Sequence, residues 1–394
     1  MTFPFPVERW DCAAAPYAAR LAGDPLGRVR VPSGDSVVLA ARYADVAAIL
    51  ADPRFSRELF HPEAPRYYPD FDISDAPDAM INMDPPEHTR LRRLTANTFT
   101  ARRIEVWRPR VRDLVHALLD SIDDEVVDFV QAVAFPLPVR AICDVMGVTE
   151  FDWERVRSWS QALISSSGRT VDERIVDALE FAGYIIELIQ RHRAEPGDGL
   201  LSALIDARDE GDQLTDAELV RIAQGLFVGG HESTSVALSR AALRLLAPPV
   251  DYRRLVADPR LIDAAVEEIL RVEVPIETAF IRLATEDVDL PSGKIRQGDG
   301  VLPCLRSANH DPAVYPDADA FDLDREARPH LAFGRGPHHC LGAGLARMEL
   351  QEALRVLVTR LPNLSLAEDP DAISWHRDWV HKPTRVLVNL GRRG

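Results

Sequence analysis

The sequence predicts a mainly α-helical fold with small β-sheets, built as one domain around a long central helix over residues 216–246. Three observations lead to that expectation. Apolar residues recur with helical period through most of residues 88–246, and strand-like sequence is limited to residues 28–41, the stretch between 272 and about 324, and a short region ending near Leu390. No internal repeat, low-complexity tract or linker divides the 394 residues, of which 46% are hydrophobic, enough for one large core, so residues 1–394 are read as a single domain.

The elements follow in order. Residues 28–41 carry Val-rich runs on either side of Pro32-Ser33-Gly34-Asp35, which predicts a hairpin. A short helix over residues 43–50 stops before Pro53, and residues 54–83, rich in Pro, Asp and aromatics, show no period, as functional loops of this length often do. Helices are expected over residues 88–99, 102–122, 137–146, 151–165, 171–193, 200–207 and 216–246, with Pro196-Gly197-Asp198-Gly199 breaking two of them apart. A helix over residues 262–272 precedes mixed strand and turn sequence to about residue 324. The last helix, 341–361, leads into a short β region ending near Leu390.

The formal net charge of −16 argues against nucleic acid or an anionic membrane as a general partner. Arg90, Arg92, Arg93, Arg102, Arg103, Arg108, Arg110 and Arg112 nevertheless concentrate positive charge in one stretch, either a solvated helix face or a docking patch. The N-terminal residues lack the basic flank and apolar run of a signal peptide or anchor, so a cytoplasmic location is expected. Cys12, Cys143, Cys304 and Cys340 form no Cys-x-x-Cys pair, which speaks against zinc or a disulfide framework.

Four segments carry chemistry. Within the central helix, Gly229-Gly230-His231-Glu232-Ser233-Thr234 puts two glycines, an acid and hydroxyls where a buried helix should be most regular. Each glycine costs about 1 kcal/mol against alanine, so a compensating use is expected, such as room for a flat ligand. Glu232 beside Ser233 and Thr234 would make a proton relay through water; a solvated stripe is the plainer reading. Glu268 and Arg271 are an i, i+3 pair, but the same spacing recurs at Glu105/Arg108, Glu154/Arg157, Glu218/Arg221 and Glu352/Arg355, where exposed pairs contribute little. His88 and Arg92, at i and i+4, share a helix face and could clamp a carboxylate. Finally, Phe333-Gly334-Arg335-Gly336-Pro337-His338-His339-Cys340-Leu341-Gly342 bends two glycines around one cysteine just before a helix, where N–H groups and the helix dipole lower a thiol pKa. A lone cysteine is usually inert core; here its setting points to a metal.

In order and spacing these segments resemble the cytochrome P450 family, particularly the soluble bacterial monooxygenases, over nearly the whole chain. The resemblance rests on Phe333, Gly334, Gly336, His338, Cys340 and Gly342; on Glu268 and Arg271; on Gly229 to Thr234; on Asp84-Pro85-Pro86-Glu87-His88-Thr89-Arg90-Leu91-Arg92; and on Phe321-Asp322-Leu323-Asp324-Arg325. It implies haem b, iron protoporphyrin IX, with the Cys340 thiolate as axial ligand, whose electron donation favours O–O cleavage. Phe333, Gly334, His338 and Gly342 then belong to the haem-binding loop. His88, Arg92, Arg282 and His338 correspond to residues that bind the propionates, and buried carboxylates do need such partners. Glu268, Arg271 and Arg325 would hold the scaffold behind the cysteine. Glu232, Ser233 and Thr234 would deliver protons for O2 activation. One departure stands out: Ser233 occupies a position usually held by Thr, and lacks the methyl that restricts the rotamer.

By the same resemblance the substrate pocket would be lined by residues 54–83, the helices of 151–193, Phe227, Gly229, Gly230, residues 275–280 with Ile276, and residues 375–379. The implied enzyme is a haem-thiolate monooxygenase that inserts one atom of O2 into an apolar substrate by hydroxylation or epoxidation, tailoring a macrolide, polyketide or terpenoid. No flavin or nicotinamide module fits in the remaining length, so a monomer served by a separate ferredoxin and ferredoxin reductase is expected. A peroxide-driven haem-thiolate oxygenase and a non-catalytic haem sensor are the rival readings.

Overall fold

Where apolar period runs longest in the sequence, the computed structural model is helical. It describes residues 2–5, 10, 15–69, 72–148, 155–156, 158–159, 170–209, 214–326, 328–377 and 380–392. The helices are α1 (Ala15–Gly23), α2 (Tyr43–Ala51), α3 (Glu87–Ala96), α4 (Ala101–Asp120), α5 (Pro136–Met146), α6 (Val171–Ala194), α7 (Leu200–Asp209), α8 (Asp216–Leu246), α9 (Val250–Ala257), α10 (Ile262–Val272), α11 (Leu305–Asn309) and α12 (Ala343–Arg360). Cys12 and nearly all of the helix expected over 151–165 lie outside the described residues.

The central helix α8 runs unbroken for 31 residues. Its start is fixed by a reciprocal cap: Thr215 Oγ1 accepts from the Glu218 N–H at 3.2 Å, and the Thr215 N–H donates to the Glu218 carboxylate at 2.7 Å. Beyond its first two turns most of its positions are buried, so it can only sit inside the molecule, and α5, α6, α10 and α12 pack around it. Among the described residues no helix is long and apolar enough to cross a membrane.

The strands are short: β1 (Arg28–Arg30), β2 (Ser36–Ala40), β3 (Phe55–Ser56), β4 (Val126–Asp128), β5 (Arg282–Ala284), β6 (Val288–Leu290), β7 (Gly293–Ile295), β8 (Gly300–Pro303), β9 (Ser365–Leu366), β10 (Trp375–Arg377), β11 (His381–Pro383) and β12 (Leu387–Asn389). The predicted hairpin is β1–β2, with Val29 opposite Val37, and it extends into a sheet of order β1-β2-β8-β5-β3 in which only β2 and β8 run parallel. Asp residues order the aperiodic loop before α3. Asp72 takes the N–H groups of Tyr67, Tyr68 and Ser74 at 2.8–3.0 Å, and Asp75 pairs with Arg66 at 2.5 Å.

Candidate functional site

The loop before α12 is wound around Cys340. Its N–H donates to the Phe333 carbonyl at 2.9 Å, the His339 N–H donates to Gly336 at 3.0 Å, and the Gly334 N–H to Leu331 at 2.8 Å. Gly334 and Gly336 have φ of +67° and +73°, and a Cβ on Gly336 would lie 2.4 Å from the Leu50 carbonyl oxygen, so this position admits only glycine. The Phe333 ring lies 4.5 Å from the Arg347 guanidinium, which Glu267 holds at 2.6 Å.

Cys340 keeps an exposed surface beside the start of α12. Burial pushes this thiol above its ordinary pKa, while the Gly342 N–H and the charges of Arg92 and Arg347 pull it down. Helix α12 begins at Ala343 with Gly342 as its cap.

Beside the cysteine, α3, β5 and the loop converge on a cluster of nitrogen groups. His88 on α3 and Arg282 on β5 are both buried, and the His88 ring stands 4.2 Å from that of His338. Burial, and then the charges of Arg282, Arg57 and Arg92 with His88, drive His338 down to about 2, so it is a neutral imidazole. Arg282 donates from Nη1 to the Phe55 carbonyl at 3.1 Å, while its Nε and the Nδ1 of His88 are buried without a partner. Arg92 donates to the His339 carbonyl at 2.5 Å. The nearby carboxylate, Asp84, is already engaged by Ser56 and by the Arg57 N–H. A buried cationic cluster with orphaned nitrogens and, among the described residues, no free carboxylate fits an anionic group that completes it.

The structure brings Glu268, Arg271 and Arg325 together. Glu268 and Arg271 on α10 make two parallel bonds of 2.8 Å, Arg325 donates to Glu268 at 3.0 Å, and Arg271 also binds the carbonyls of Asn309, Ala318 and Ala320 at 2.7–2.9 Å. By contrast Glu105/Arg108, with the same spacing, is an open surface pair, its Glu side chain 59% exposed against 6% for Glu268.

Along α8 the structure separates residues that the sequence placed together. A Cβ on Gly229 would meet nothing within 4 Å, whereas one on Gly230 would strike Ile142 of α5 at 2.9 Å. Gly229 opens space; Gly230 instead lets two helices approach. Phe227, expected in the pocket wall, is fully buried against Phe181 of α6, their centroids 6.0 Å apart. Ile276 is half-buried and bridged to Val380. Ser233, half-exposed, donates to the Gly229 carbonyl at 3.3 Å, Thr234 is buried, and buried Glu232 contacts the Lys382 ammonium on β11.

The arginine-rich stretch is mostly internal bracing. Arg108 and Arg112 bind Glu352 of α12 at 2.8 and 2.7 Å, Arg90 binds Glu218, and Arg110 faces Asp144 at 3.6 Å, while Arg102 and Arg103 are exposed. Two residues escaped sequence reasoning. Arg57 is buried among the carbonyls of Ile81 and Ile281 and the Asn82 side chain, partners its local sequence does not announce. Lys382 carried one signal: only it and Lys294 are lysines in the whole chain.

The comparisons with known proteins agree with this geometry. The cytochrome P450 family model matches residues 161–373. Mycinamicin IV hydroxylase/epoxidase of Micromonospora griseorubida is 42% identical over 95% of this chain and 94% of its own. The cytochrome P450 monooxygenase PikC of Streptomyces venezuelae is 39% identical over 98% and 93%. Among solved structures, the LnmA cytochrome P450 hydroxylase from the leinamycin biosynthetic pathway of Streptomyces atroolivaceus S-140 superposes with a TM-score of 0.90 at 37% identity, covering 98% of this chain and 99% of that one. The chain belongs to the cytochrome P450 family. It is a monooxygenase, its cofactor is haem b, and an exposed cysteine beside buried, unpartnered nitrogens fits an iron porphyrin with carboxylate side chains.

Proposed function

We propose that Cys340 would hold haem iron through its thiolate, that His88, Arg92, Arg282 and His338 would hold the propionates, and that Glu268, Arg271 and Arg325 keep the loop behind the sulfur rigid. The observation that carries this reading is the pairing of an exposed Cys340 with buried, unpartnered nitrogens of His88 and Arg282. When bound, the haem supplies O2 activation driven by two electrons, with thiolate donation favouring O–O cleavage. The chain's part is placement and protons: Glu232 carries a proton to the pocket, and the Ser233 and Thr234 hydroxyls pass it on, since each can donate and accept. Gly229 leaves room for substrate, with Ile276 on the wall.

The substrate is a sizeable, mostly apolar secondary metabolite, of macrolide or polyketide type. Relatives named for mycinamicin IV hydroxylation or epoxidation and for the leinamycin pathway support that class. Electrons come from a separate acidic ferredoxin and its reductase, in the cytoplasm, docking over exposed Arg102 and Arg103. A library of macrolide and polyketide compounds, screened for displacement of water from ferric haem by the Soret shift, tests the substrate class; binding confined to small polar molecules would refute it. Reversing charge at Arg102 and Arg103 is expected to slow reduction by ferredoxin and flatten its salt dependence. Unchanged rates at every salt concentration would refute that docking site.

A further inference from the structure

The chain carries 46 basic Lys and Arg residues, and lysine accounts for two of them, Lys294 and Lys382. The distinction is chemical. An arginine keeps its proton throughout the accessible pH range, whereas a lysine ammonium can give one up and regain it. Lys294 lies at the surface in β7, 3.1 Å from Asp287, a carboxylate it shares with Arg296. Lys382 meets Glu232.

That meeting is built and not accidental. Lys382 lies on β11 opposite His376 of β10. The strand is fastened to α8 by Arg240, two turns beyond Glu232, whose guanidinium donates to the His381 carbonyl at 3.0 Å and to Glu273 at 2.9 Å, both buried. The His381 ring packs 4.9 Å from Trp375. The backbone on which Lys382 rides is therefore held against the helix that carries Glu232. Among the described residues, Lys382 is the side-chain hydrogen-bond partner of Glu232. Its side chain keeps 27% of its surface exposed against 10% for Glu232, so of the two it is the one that water reaches.

The geometry points to Lys382 as the group that returns protons to Glu232 from water during turnover, an inference that rests on Glu232 being the acid of the relay proposed above. In this step an N–H bond of the Lys382 ammonium breaks and an O–H bond forms on Glu232 Oε1; the neutral amine then takes a proton from hydronium or a buffer acid in the solvent, whose conjugate base stays in bulk water, and no electrons change hands. An arginine at this position would keep the ion pair and lose the transfer.

The test uses holoenzyme carrying Lys382→Arg, Lys382→Met or Glu232→Gln, each with the wild-type spectrum of the reduced carbon monoxide complex. Product formed per electron pair is expected to fall several-fold in both lysine variants, and the solvent deuterium isotope effect on turnover to rise. A lysine that only pairs would be replaced by arginine without loss, so wild-type coupling in Lys382→Arg overturns the inference, as does wild-type coupling in Lys382→Met. If Glu232→Gln uncouples while neither lysine variant does, the inference fails and the relay stands; if Glu232→Gln stays coupled, the relay itself fails. A readout apart from turnover uses the two lysines as labels. In the carbon monoxide complex grown with side-chain ¹⁵N-lysine, Glu232→Gln should move one of two ammonium resonances; neither moving would show that the pair does not form.

Discussion

Around Cys340 the polar groups are held by partners distant in sequence, whereas along α8 the residues at the open side are held by their own helix or by one strand, β11. Glu268 ties α10 to Arg325, and Arg271 reaches three carbonyls in the segment between. Among the described residues Ser233 bonds to Gly229, one turn back, and Glu232 leans on Lys382. The difference teaches how the labour is divided. The cysteine side must present one sulfur in one place, and redundancy makes it rigid. On the proposed function the α8 side admits substrate and moves protons, and fewer long-range bonds leave it the more adjustable of the two.

The comparison can be broken by substitutions on each side. Glu268→Ala leaves two arginines in a buried site without their carboxylate and should cost about 3–5 kcal/mol in denaturant unfolding of the holoenzyme. Glu105→Ala, with the same i, i+3 partner spacing but an exposed side chain, should cost at most about 1 kcal/mol. Equal losses would mean that the triad is not the brace described here.

Acid should act on the rigid frame next. Burial alone would raise Glu273 and Glu277, but for Glu273 the charges of Arg244, Arg240 and Arg306, and for Glu277 the His381 bond with Arg306, more than reverse this and hold both at about 2. Unfolded chains take up these protons near the ordinary value of about 4.5, so the folded state binds fewer protons in between. Stability is therefore full above about pH 4.5 and falls as pH drops from there towards 2. Thermal midpoints of wild type and Glu273→Gln measure this, the variant losing less on acidification because it has one such carboxylate fewer.

The smallest effect is expected on the adjustable side, with opposite signs for fold and function. Gly229→Ala meets no neighbour and gains helix propensity, so the fold should gain up to about 1 kcal/mol. The added methyl enters the open space, so substrate-induced Soret shifts should need more ligand. Gly230→Ala should instead destabilise the fold, because its methyl would meet Ile142.

The same division explains what could be read from sequence. Helices α8 and α10 were legible to the residue because apolar period persists over several turns, and the Cys340 loop because its constraints are local. α1, α9 and α11 were missed; α9 spans eight residues and α11 five, too few for a period to register. Gly229 and Gly230 are identical in sequence and differ only in what faces them. Arg57 and Lys382 meet partners 224 and 150 residues away, contacts that no local pattern encodes.

The most direct test of the division is to measure two signals on the same holoenzyme preparations, the thiolate-type Soret band of the reduced carbon monoxide complex and product formed per electron pair. Cys340→Ser is predicted to lose the band and all turnover, while Glu232→Gln keeps the band and loses coupling. A thiolate-type band surviving in Cys340→Ser, or full coupling in Glu232→Gln, would contradict the account.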